Sequence, residues 1–135
     1  MGTEQRDATT RYLAALDRAR SHRRARITPA LRDAIARELG LLEMDLARAR
    51  AHGEEQHGRG KKFIRHQLWD DALRVLAEAE MLLPDVADVR LALAEAHLGK
   101  KTHDDTQAAI TWCERGLEID PDHDELKQLL ARLRQ

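Results

Sequence analysis

Small and large apolar residues recur in a fixed order twice over the second half of the chain. Residues 69–84 place Ala72, Leu76, Ala79 and Pro84 at successive spacings of four, three and five, and residues 107–121 repeat this with Ala109, Cys113, Gly116 and Pro121. Spacings of three and four put the first three members of each set on one helix face. The proline then ends the helix, because it has no N–H and its ring clashes with the preceding turn. A shorter apolar run precedes each phrase: Gly60, Phe63 and Ile64 before the first, Leu93, Ala94, His97 and Leu98 before the second. The pattern predicts two helix pairs. Residues 122–135 add a helix with Leu126, Leu129, Leu130 and Leu133 on one face, suited to cap the last pair.

The first 52 residues follow a different pattern. One helix carries Ala8, Tyr12, Ala15, Leu16 and Ala19, and its apolar stripe stops at residues 20–26. Thr28 is placed to cap a second helix whose first turn holds Pro29. Along that helix Leu31, Ile35, Leu39, Leu42 and Leu46 form a stripe at spacings of four, four, three and four, which implies a partner surface. Gly40 lies inside the stripe and costs about 1 kcal/mol relative to alanine, marking a place for a break. The expected organisation is an N-terminal helical hairpin over residues 1–52, then a repeat region over residues 53–135. The stripe is either closed within one chain or used as the seam of a homodimer.

Composition narrows the class. A chain of 135 residues fits one domain and is long enough to bury roughly 68% of its unfolded surface. Aromatics make up 3%, and alanine, leucine, arginine and glutamate dominate, which favours an all-α protein. The single cysteine, Cys113, excludes an intramolecular disulfide and sits on an apolar face as a small packed side chain. No apolar run approaches the roughly 18 residues of a membrane span, and residues 1–7 lack a hydrophobic signal core. A cytoplasmic protein without membrane contact is the default.

The net charge of −1 conceals a division. Residues 1–52 hold eleven arginines and seven acids, giving +4, whereas residues 85–135 hold seven bases and eleven acids, giving −4. Such polarity can steer a partner or favour head-to-tail contact between copies. The densest basic cluster is Arg18, Arg20, Arg23, Arg24 and Arg26. Clustered guanidinium groups neutralise phosphates, so a nucleic-acid-associated protein is the alternative function. Against it, no recognition helix follows, and only Tyr12 lies near enough to stack on a base.

No residue constellation supports catalysis, a cofactor or a metal. The glycines and lysines of residues 53–62 lack phosphate-loop spacing and read as the joint between hairpin and repeats. Asp120, Asp122 and Asp124 start like a calcium loop, but Glu125 stands where glycine is needed and Ala131 where the closing glutamate is needed. Glu54 and His57 have one-turn metal spacing without a second copy.

The repeated phrase resembles the second helix of a tetratricopeptide repeat, whose small residues let two helices approach and whose proline ends the pair. The resemblance covers residues 54–135. The two prolines are 121 − 84 = 37 residues apart, against about 34 for the standard repeat, which places about three extra residues in the inter-helix turn at 100–105. The usual turn glycine is replaced by Gln67 in the first copy. The resemblance implies a concave groove gripping a peptide or partner helix. On helical phase it would be lined by His57, Lys61, Ile64 and Arg65 from the first repeat, and by Asp88, Leu91, Ala92 and Glu95 from the second. Gln128 and Arg132 would follow from the cap helix. The family's clamp of lysines and asparagines for a C-terminal carboxylate is not carried over, since the chain has no asparagine and only Lys61 lies near a suitable place. The expected function is a non-enzymatic adaptor or scaffold that binds another protein.

Overall fold

Helix boundaries follow from residues within one turn of them. The computed structural model describes residues 2–23 and 26–135 and, among these, seven helices: α1 (Gly2–Arg23), α2 (Pro29–Glu38), α3 (Glu43–Arg65), α4 (Trp69–Leu82), α5 (Ala87–Lys100), α6 (His103–Ile119) and α7 (Asp124–Leu133). The chain divides into two compact units, Met1–His52 and Gly53–Gln135.

In the first unit, extended Thr28 caps α2 by accepting from the Leu31 N–H at 3.1 Å, and Pro29 occupies the first turn. The stripe from Leu31 to Leu46 does not run along one helix. Gly40 adopts φ +69°, its N–H bonds to Arg37, and the Leu41 N–H reaches back to Ala36. This is a Schellman closure, in which a left-handed residue satisfies the last carbonyls of α2. Leu31 and Ile35 therefore lie on α2, Leu39 and Leu42 in the connection, and Leu46 on α3, with Ile35 buried and Leu42 68% exposed. The Leu42 N–H donates to Asp45 Oδ2 at 2.9 Å, half of a capping box that starts α3. On α1, Ala8, Tyr12 and Leu16 are buried, and Arg11 donates to the Leu39 carbonyl at 2.8 Å.

In the second unit the residues expected to form a joint are helical. α3 continues through Gly53, Gly58 and Gly60 because two of these glycines are contact points rather than breaks. A Cβ on Gly53 would lie 2.8 Å from Leu82 Cβ, and one on Gly60 would lie 2.5 Å from Leu76. Both sets of small and large residues face inward: Ala72, Leu76, Ala79, Ala109 and Cys113 are fully buried, and Gly116 is buried with them. Leu76, Ala79, Leu83, Val89 and Leu93 form one core cluster with Phe63 and Ile64 against it. Leu91, Ala94, Cys113, Leu126 and Leu129 form the next. α7 buries Leu126, Leu129 and Leu130, closing the second cluster as a cap.

The three extra residues do not enlarge a turn. Only Lys101 and Thr102 separate α5 from α6, whereas α6 has 17 residues against 14 in α4. The excess of 17 − 14 = 3 is helical, at His103, Asp104 and Asp105, where Thr102 caps the new N-terminus by accepting from the Asp105 N–H at 3.1 Å. Helix is favoured there because two acids occupy its first turn, where they complement the helix dipole.

Candidate interaction groove

α3, α5 and α7 supply the walls of two adjoining depressions within the second unit. The smaller, of ≈ 300 Å³, is lined by His57, Lys61, Ile64 and Arg65 from α3 and by Asp88, Leu91, Ala92 and Glu95 from α5, with Glu125 from α7. The larger, of ≈ 600 Å³, shares Ile64, Leu91, Glu95 and Glu125 and extends to Gln128 and Arg132. All ten side chains picked out by helical phase therefore line this surface. Helical phase does not pick out Gln67, Trp69, Leu98, Gly99, Lys101, Glu125 and Leu129, which also line the larger depression. Glu125 was open to discovery, since it precedes Gln128 by three residues on the same helix face. Trp69 was not, because its ring lies against the backbone of Gly99, where a Cβ would come within 2.3 Å of the indole.

The floor is apolar and the rim is charged. Among the described residues, Lys61, Arg65, Lys101 and Arg132 form no ion pair. Asp88 is engaged, accepting from His123 Nε2 at 2.7 Å. The opposite ring nitrogen, Nδ1, accepts from the Leu126 N–H at 3.2 Å, so this histidine caps α7 and ties it to α5 in one tautomer. Burial, then the charge of Lys61, holds the His57 pKa below its ordinary value, with Asp88 opposing. His57 Nε2 is out of solvent and has no hydrogen-bond partner. Glu95 is exposed as a residue, yet burial of its carboxyl group, followed by repulsion from Glu125, raises its pKa. The surface thus offers apolar contact beside exposed cations, an arrangement suited to recognition.

The other candidates fall elsewhere. In the arginine cluster, Arg18 is exposed, Arg20 and Arg26 are engaged in other interactions, Arg23 is the last residue of α1, and Arg24 lies outside the described residues. Among the described residues no group of three or more His, Cys, Asp or Glu could hold a metal ion. Also among these residues, no helix is long and apolar enough to cross a membrane. Burial raises the Cys113 pKa to about 11, which suits its place as a packed side chain.

Comparison with curated proteins and with solved structures found no match. A family model described as tetratricopeptide repeat matches residues 64–133, from the end of α3 through α7. Repeats of this kind generally mediate protein–protein interaction. The match spans more than half of the chain and both small-large-small-proline phrases, and the chain belongs to the tetratricopeptide repeat family.

Proposed function

We propose that residues 53–135 act as a non-enzymatic adaptor that holds a peptide or a partner helix in the groove between α3, α5 and α7. One observation carries this reading: an apolar floor of Ile64, Leu91, Leu98 and Leu129 is bordered by four exposed cations that form no ion pair among the described residues. Exposed cations beside apolar surface give a partner both contact area and charge selection.

The test is a peptide array probed with the purified chain, followed by titration of the strongest binders using the fluorescence of a Trp112→Phe variant, in which Trp69 is the one tryptophan. Lys61→Glu combined with Arg65→Glu should weaken binding on the order of tenfold, with helicity and melting unchanged because both side chains are exposed. Binding that is indifferent to this pair would remove the groove as the site.

A further inference from the structure

We propose that the groove's occupant is a second copy of this chain, entering through the turn between α2 and α3. The inference rests on the groove being a protein-binding surface and names its partner. Leu42 and Met44 are 68% and 58% exposed, and with Leu68 they are the large exposed apolar side chains among the described residues. Leu42, the last residue of the connection, and Met44, in the first turn of α3, stand two residues apart on a segment held at both ends. The Schellman closure at Gly40 holds one side and the Leu42 N–H to Asp45 bond holds the other. A rigid apolar projection loses little conformational entropy on docking.

Charge selects the same pairing at two ranges. The unit that carries the projection sums to +4 (eleven bases, seven acids), and the unit that carries the groove sums to −5 (twelve bases, seventeen acids), so copies attract head to tail. At contact range the signs reverse in a complementary way. The projection places exposed Glu43 between Leu42 and Met44, and the larger depression offers Lys101 and Arg132 beside its apolar floor. Glu95 and Glu125 lie six and seven residues back along α5 and α7, about two helical turns away. They set the register by repelling Glu43 toward the cationic end. Projection and groove are different surfaces, so the contact is heterologous: each copy uses one surface, and an associated pair keeps one free projection and one free groove.

Light scattering of the intact chain from micromolar to millimolar concentration tests this, with Leu42→Ser/Met44→Ser as the projection variant and Lys101→Glu/Arg132→Glu as the groove variant. Circular dichroism and melting check that each folds. The wild-type mass should rise above 15.4 kDa with concentration, and raising the salt should lower the association constant on the order of tenfold. Each variant alone should remain monomeric. Mixed in equal amounts, they should form a pair that grows no further, because one intact projection meets one intact groove. A wild type that stays at 15.4 kDa throughout would overturn the proposal. So would association that survives either variant, or variants that fail to complement. If self-association fails while array binding still responds to Lys61→Glu/Arg65→Glu, only the identity of the occupant is lost.

Discussion

Gln67 and Lys101 stand 101 − 67 = 34 residues apart and share a left-handed backbone, with φ of 60° and 63°. Each follows the first helix of its pair. Gln67 completes a Schellman closure in which its own N–H bonds to Ile64 and that of Leu68 bonds to Phe63. Left-handed geometry costs a residue with a Cβ about 1–2 kcal/mol, part of which glycine returns as lost chain freedom. Gln67→Gly and Lys101→Gly should therefore each stabilise the chain by about 1 kcal/mol, read as a higher urea midpoint. An unchanged or lower midpoint in both would show that neither turn is strained.

Two glycines of α3 should respond in opposite directions to the same change. Nothing lies within 4 Å of a Cβ built on Gly58, so Gly58→Ala should add about 1 kcal/mol through helix propensity alone. At Gly60 the added methyl would meet Leu76 at 2.5 Å, and overpacking of this kind costs about 1–3 kcal/mol. Denaturant melts of both variants, compared with wild type, decide the matter. Equal shifts would contradict the packing described for α3 and α4.

These glycines also show what was legible in the chain and what was not. Small residues at Ala72, Ala79, Ala109 and Gly116 announced two helix pairs because their spacing is a local property. The phase of His57, Lys61, Asp88 and Glu95 was legible for the same reason, since one face of a helix can be read from residue number alone. Gly53 reads as part of a joint because a glycine that ends a helix and one that admits a neighbour's leucine look alike until the neighbour is known. The extra turn of α6 was similarly hidden. Acids and threonine suit both a loop and a capped helix start, and the choice was made by Thr102 bonding Asp105. The approach of His123 to Asp88 spans 35 residues and has no local signature.

Stability should pass through a maximum near the ordinary histidine pKa of about 6.5. The hydrogen bond from His123 to Asp88 is the first cause raising the His123 pKa. Burial and the loss of Nδ1 as acceptor for Leu126 work against it. Its contribution is present below the unfolded pKa and fades as pH rises through the higher folded value. His57 has the opposite sign: burial and Lys61 lower its pKa, so the folded state resists protonation and stability declines as pH falls below 6.5. Urea midpoints measured between about pH 5 and 8 should show both slopes. Asp88→Asn should abolish the alkaline decline and steepen the acidic one, because Asp88 supports the charged form of both rings. An alkaline decline that persists in this variant would mean that His123 is not its source.

His97 takes the place that Phe63 holds one repeat earlier, 97 − 63 = 34 residues on, and a polar ring in an apolar slot needs a partner. Asp105 provides it. Its Oδ1 lies 2.8 Å from His97 Nδ1, while its Oδ2 accepts from the Thr102 hydroxyl at 2.6 Å. Asp105 is the last of the three residues that lengthen α6, so the insertion and the histidine compensate each other. Together, first the His97 bond and then the Thr102 bond hold the Asp105 carboxyl below its ordinary pKa. That stability is present above the ordinary carboxylate range and is lost as pH falls through the folded value. Asp105→Ala should lower the melting temperature at neutral pH and flatten its fall in acid. Adding His97→Phe should recover much of the neutral loss, because an apolar ring asks nothing of residue 105. Thermal melts of the two variants give a direct answer. If the double variant melts no higher than Asp105→Ala alone, the histidine and the inserted turn are independent, and the extra residues of α6 have another cause.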